Sequence, residues 1–458
     1  MGAFPDVVVL LPGILGSELT KDGKLLWGAG SIWDSVFNNG LARLQLTAPG
    51  SLDEDIGDGI VPRSILRWPA LIPDFWKIGG YQELSYNLQD RLGLKKGKNF
   101  FEFPYDWRRD NRVAAIRLAR ESHDWLKAWR EESGNAEAKL ILIVHSMGGL
   151  IARHFVEVLE GWKATRATIA IATPFAGSGD ALDFLQSGIK ANFLPDGVKR
   201  SIYTFAGFDS LYQLLPTGPF LRDGAGSPVK LVDANLLKVD RNRVRSALAF
   251  HDEMRDAAST NKSIGAYLER KGATRTVIGS EQPTKVGGFV DDQGWVTFSG
   301  KSVQEGFLSG DGTVPRRSAT PPEVGEEVAA FAPTSHSAIT SYGSVMSHVC
   351  NAIAGMPETP LRDRGGVGTI SLLVDDLYRA GADVAIRAAT RQSAQFLNLT
   401  LTNLDDTKPP IKTRMNKVDD YYVWQYALPA GSYRASVEAT GAEEASDIFT
   451  VVDVDLLP

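Results

Sequence analysis

The chain predicts a mixed α/β protein, with a mostly parallel sheet covered by helices on both faces, followed by a small all-β unit. Three observations carry this reading. Short, uniformly apolar runs recur through residues 1–356, as strands buried on both faces require. Stretches of helical period stand between them, and that alternation builds a parallel sheet. Beyond a Pro-, Gly- and charge-rich segment at 357–368, the pattern changes to short strands with frequent turns over 369–458. A chain of 458 residues also exceeds one typical domain.

Val7 to Leu11 is a continuous apolar run stopped by Pro12-Gly13, and Phe100 to Phe103 is another, ending at Pro104. Behind Asp110, a candidate N-cap, residues Val113, Ile116, Leu118, Trp125, Leu126 and Trp129 recur at helical spacing. Leu140 to Val144 is a buried strand with a helix over Gly148 to Glu160 directly after it. Ala167–Ala172, Thr274–Ile278 and Glu327–Phe331 complete the strand set. Between about 177 and 272 the strand signal disappears. That stretch is too long for a simple crossover and reads as a cap holding Phe193, Phe205, Phe208, Leu211, Tyr212, Leu214 and Leu215. Residues 50–80, loop-rich with Trp68, Phe75 and Trp76, are a candidate lid. After the linker at 357–368, strands are predicted over Thr369–Val374, Asp383–Ala388, Phe396–Thr402, Tyr421–Ala427, Ser432–Ala439 and Ile448–Val452, a small β-sandwich.

Composition excludes several function classes. With 43% hydrophobic and 23% charged residues the chain is globular, and a net charge of −6 argues against nucleic acid as the main partner. The lone Cys350 permits no intramolecular disulfide. Met1 to Asp6 has no basic residue, and Pro12-Gly13 breaks the apolar run behind it, so no signal peptide is expected. No apolar run reaches the roughly 18 residues of a membrane span. A cytoplasmic location is the expectation. Asp53, Glu54, Asp55 and Asp58 lack calcium-loop spacing, no His/Cys/Asp cluster has metal-ligand spacing, and 176–180 is no dinucleotide fingerprint. Neither metal nor cofactor is expected.

The segment that carries chemistry is Leu140-Ile-Leu-Ile-Val-His-Ser-Met-Gly-Gly149. A buried strand runs straight into Ser146 and a helix starts at once, the strand–serine–helix turn that exposes a nucleophile in α/β-hydrolase folds. Gly148 meets the need for a small residue in that turn, whereas Val144 departs from the usual first glycine. A serine needs a base. Of the six histidines, His145 adjoins the nucleophile and should point away, His123 and His154 lie on flanking helices, and His251 falls in the cap. His348 is inside a helix, which leaves His336, just after a strand. The orienting acid should lie between Ser146 and His336, and Asp311 in Gly310-Asp-Gly-Thr-Val-Pro315 is the candidate. The oxyanion donors are expected to be the N–H groups of Met147 and Ile14.

These pieces together resemble the lecithin:cholesterol acyltransferase-like lipases and phospholipases. The matching segments are Leu11-Pro-Gly-Ile-Leu-Gly-Ser17, Phe103-Pro-Tyr-Asp-Trp-Arg108, His145-Ser-Met-Gly-Gly149, Ala172-Thr-Pro-Phe-Ala-Gly-Ser178, Leu214-Leu-Pro216, Gly310 to Pro315 and His336. The resemblance implies a Ser146–Asp311–His336 triad attacking lipid acyl esters, with acyl transfer to an alcohol left open. The apolar Leu15, Trp76, Phe175 and Leu215 are then expected substrate contacts, with transient contact to a membrane surface. The C-terminal β-unit lies outside the resemblance. Two other readings stand beside this one: a silent hydrolase fold whose β-unit engages a partner, and an esterase for soluble short-chain esters.

Overall fold

The computed structural model describes residues 4–28, 40–74, 76–270, 273–300, 310–324, 329–355, 361 and 368–456. Six parallel strands form the central sheet: β1 (Val7–Leu11), β2 (Phe100–Glu102), β3 (Leu140–His145), β4 (Thr165–Ile171), β5 (Thr274–Gly279) and β6 (Ala329–Ala332). Their order is β6-β5-β4-β3-β1-β2. β1 and β3 are buried along their whole length, which explains their unbroken apolar runs. The start predicted for β6 at Glu327, the linker apart from Leu361 and Gly368, and Phe75 lie outside the described residues.

Helices α1 (Asn111–Ser133), α2 (Gly148–Glu157), α3 (Arg241–Asn261) and α4 (Gly343–Ala354) account for most of the helical packing. Asp110 caps α1 as its sequence suggested, accepting from Arg112 N–H at 2.8 Å, and Gly134 ends it in a left-handed conformation. No described helix is long and apolar enough to cross a membrane.

Residues 177–270 are mainly short helices and α3, and their aromatic residues turn inward. Phe205 and Phe208 are fully buried against Trp107, with Trp27 closing the cluster. Two short strands, Leu221–Arg222 and Pro228–Val229, join a hairpin of Gly287–Val290 and Val296–Ser299 in a separate four-stranded sheet. That hairpin was invisible to pattern reading: its residues are mostly half-exposed and start with two glycines. Within 50–80, Ile60–Ile65 pairs with Ser17–Lys21, while Ala70–Ile72 and Trp76–Ile78 form a small hairpin. Pro62 disguised the first of these strands. It is tolerated because Ile60–Ile65 lies at a sheet edge.

The C-terminal unit is one eight-stranded sheet that folds back over itself. Its order is Ser371–Val374, Asp383–Ala389, Tyr421–Ala427, Ile411–Val418, Phe396–Asn403, Gly431–Glu438, Ala445–Val452 and Leu377–Arg379. The first strand packs against Ala445–Val452, so two halves of a single sheet supply the two layers of the sandwich. Ile386, Leu399, Met415, Val437 and Phe449 fill the space between them.

Candidate active site

β3 delivers its last residue, His145, to the carboxyl edge of the sheet, and the chain then turns at Ser146 with φ +54. A left-handed backbone at a non-glycine residue is held only where its surroundings impose it. Here Ser146 N–H donates to Ile171 O at 2.9 Å, and α2 begins two residues later. The turn is tight on every side. A Cβ on Gly148 would sit 2.5 Å from Pro12 O, and one on Gly13 would sit 2.8 Å from Ser146 Cβ. Val144 escapes this crowding: it is buried in β3 between Leu11 and Ala170, and the close approaches fall on Gly13, Gly148 and Gly149 instead.

Ser146, Asp311 and His336 come together from three strand ends. His336 Nε2 lies 3.0 Å from Ser146 Oγ, and His336 Nδ1 lies 2.7 Å from Asp311 Oδ2. The second carboxylate oxygen, Oδ1, accepts from Thr313 N–H at 2.9 Å and Val314 N–H at 2.6 Å, which fixes the acid's orientation. His336 N–H donates to Asp311 O at 2.8 Å, tying the two loops directly. Asp311 is far in sequence from β5, yet Gly279 at the end of β5 has room only for hydrogen beside Asp311 Cβ. Gln282, just beyond the end of β5, bridges to Gly310 and Asp311 and so holds the acid beside that strand end.

The remaining histidines divide cleanly. His123 is exposed on α1. His154 stacks on Phe250, and burial lowers its pKa. His251 bonds Gln213 O at 2.8 Å, and burial pulls its pKa down to about 4. His348 is buried in α4. His145 differs from expectation. The left-handed turn at Ser146 breaks strand alternation, so His145 does not point away: its ring lies 4.9 Å from that of His336. Burial, with His336 adding to it, holds His145 well below the usual imidazole range.

Ile14 and Met147 are fully buried, and neither backbone N–H has an acceptor among the described residues. Of the four expected substrate contacts, Trp76 packs edge-on against His336 with centroids 5.5 Å apart. Leu15, Phe175 and Leu215 are buried in the main core. Ser146 itself has no exposed surface, and His336 retains 2%. A cavity of about 460 Å³ adjoins the histidine side of this cluster, lined by Trp76, His336 and Asp311 with Phe193 and Leu372. Its wall is otherwise rich in charge that pattern reading did not flag. Lys285 is held by Asp180 and Asp183, and Lys77 reaches Asp376 at 2.8 Å and Asp447 at 2.7 Å. Burial opposes the Lys77 charge, but the two carboxylates win and raise its pKa above the ordinary lysine range. No group of acidic, histidine or cysteine residues among those described is arranged to hold a metal ion.

Residues 74–266 match the family model for lecithin:cholesterol acyltransferase. The family match contains Ser146 and ends before Asp311 and His336, whose relation to the serine is therefore read from geometry. The chain is 28% identical over 247 residues to Phospholipase A(1) LCAT3 of Arabidopsis thaliana, covering 49% of this chain and 52% of that protein. To Lecithin-cholesterol acyltransferase-like 4 of the same plant it is 35% identical over 92 residues, 19% of this chain and 16% of that one. It thus spans about half, or less, of the length of these family members. Among solved structures, the Tle4–Tli4 complex is similar with a TM-score of 0.46 and 16% identity, covering 77% of this chain and 98% of that chain. The Bacillus licheniformis lipase BlEst2 in its propeptide form is similar with a TM-score of 0.35 and 12% identity, covering 97% and 74%.

Proposed function

We propose that the protein is a serine hydrolase of lipid acyl esters. The observation that carries this reading is the chain of contacts from Ser146 Oγ through His336 to Asp311, set on a left-handed turn at the start of α2. Ser146 gives its proton to His336 Nε2 and attacks the acyl carbonyl. Asp311 holds Nδ1–H and stabilises the imidazolium that forms. The N–H groups of Ile14 and Met147 receive the developing oxyanion, an interaction worth about 10²–10³ in rate per donor. The imidazolium then protonates the leaving alkoxide, and water, or a second alcohol, resolves the acyl-enzyme. The choice of a lipid ester rests on the family likeness and on the apolar Trp76 above His336.

The test has two parts. A fluorophosphonate should label the parent protein at Ser146 and fail to label Ser146→Ala, and equal labelling of the two would sink the assignment. Parent and Ser146→Ala protein are then incubated with mixed phospholipids and neutral lipids, and the released acyl chains identified by mass spectrometry. Ser146-dependent turnover of soluble short-chain esters alone, with no acyl release from lipid aggregates, would replace the lipid reading with that of a soluble esterase.

A further inference from the structure

The loop that leaves β1 is pinned at most of its backbone polar groups. Tyr105 Oη donates to Pro12 O at 2.9 Å, and Gly13 N–H donates to Tyr81 Oη at 2.7 Å. Gly13 O accepts from Gly16 N–H at 3.1 Å, Leu15 O from Trp27 Nε1 at 2.8 Å, and Gly16 O from Leu66 N–H at 2.8 Å. Leu15 stands at φ +63, so the loop's shape is imposed by these partners and not by its own preference. The Ile14 N–H, in the middle of this frame, is left without an acceptor among the described residues.

Tyr81 differs from the other anchors because its oxygen also touches the catalytic cluster. Tyr81 Oη lies 2.8 Å from His145 Nδ1, and the His145 ring faces that of His336. Having accepted the Gly13 N–H, the phenol has one proton to give, and His145 Nδ1 is the acceptor within reach. In that arrangement His145 is the neutral tautomer with its proton on Nε2. A neutral ring is what His336 requires beside it when His336 becomes a cation during the reaction.

Building on the proposed role of Ser146, we propose that Tyr81 is a positioning residue for the oxyanion site, its hydroxyl fixing the Gly13–Ile14 peptide and holding His145 neutral beside His336. Both effects act on the transition state and leave ground-state binding alone. Tyr81→Phe, in the full chain, removes one oxygen and keeps the ring that packs edge-on to His145. Its kcat should fall about 10- to 100-fold with KM within about twofold, since a misplaced donor costs up to what a lost one does. The affinity for an alkyl boronic acid, whose tetrahedral adduct on Ser146 presents an oxyanion, should fall by the same factor. His145→Leu should reproduce the kcat loss without touching the loop's own bonds, and His145→Asn, which restores an acceptor for Tyr81, should recover most of it. Tyr81→Phe and His145→Leu proteins that fold and keep kcat and boronate affinity within threefold of the parent would overturn the inference. So would a loss that appears in KM alone. A parent protein with no Ser146-dependent turnover would sink the functional reading itself, a different result from an active parent indifferent to Tyr81.

Discussion

Gly279 carries no chemistry, yet the site depends on it. A Cβ there would lie 2.4 Å from Asp311 Cβ and 3.2 Å from Oδ2, and the carboxylate is held by the Thr313 and Val314 N–H groups. Gly279→Ala should therefore displace the acid and lower kcat by about 10²-fold, the cost of roughly 1 Å of misplacement. Gly197→Ala, where nothing lies within 4 Å, should leave turnover unchanged in the same assay. His251 makes a prediction about pH. Its folded pKa of about 4 lies below the ordinary 6.5, so the folded state resists its protonation. It contributes stability that is complete above pH 6.5 and is lost as pH falls through 6.5 towards 4, about 3 kcal/mol in all. Denaturant titrations of parent and His251→Gln between pH 7 and 4 should show a flatter decline in the variant. At this scale the sequence was most legible where order and punctuation coincide: strand, Ser146, helix, then Asp311 and His336 in succession. His145 and Tyr81 were missed because their roles come from a broken strand alternation and from a contact spanning 64 positions, neither of which has a local pattern.

The hairpin Ala70–Ile72 and Trp76–Ile78 lies between the catalytic histidine and the C-terminal sheet. Trp76 covers His336, and Lys77, the next residue, is gripped by Asp376 and Asp447 of the C-terminal sheet. Asp74 N–H adds a bond to Asp376 at 2.8 Å, and Asp74 Oδ2 accepts from Lys190 N–H at 2.8 Å. Removing one partner of a buried ion pair costs about 3–5 kcal/mol. Lys77→Met should lower the melting temperature and, by freeing Trp76, raise the rate at which a fluorophosphonate reaches Ser146. A slower or unchanged labelling rate would show that the hairpin does not govern access. The region's irregular composition pointed to a lid, but its strands were hidden by Pro62 and by brevity. Ile411–Val418 was missed for a related reason: Met415 is its one fully buried residue, so no apolar alternation announces it.

Taken as a whole, the molecule is less divisible than its linker suggests. Leu377 and Val452 of the C-terminal sheet belong to the core of the catalytic unit. Gln282 bonds Ile370 O at 3.1 Å and Leu372 N–H at 2.9 Å, close to the Asp311 loop. Ser335 donates to Ser446 O at 2.6 Å and Ser337 to Asp447 at 2.8 Å, so both neighbours of His336 are anchored in the β-unit. Calorimetry of the full chain should therefore give one cooperative transition, with matching calorimetric and van't Hoff enthalpies; two resolved transitions would mean that these bonds do not couple the units. Composition reveals where a chain is loose between units, but carries no record of which surfaces later meet. The complete burial of Ser146 has a last consequence, for the fate of the acyl group. On the proposed mechanism each turnover needs two admissions to this buried serine, first of the ester and then of whatever takes the acyl chain away. The partition between hydrolysis and transfer would then follow which acceptor reaches the acyl-enzyme first. An amphiphilic alcohol carried in with the lipid should compete with water far beyond its share of the solution.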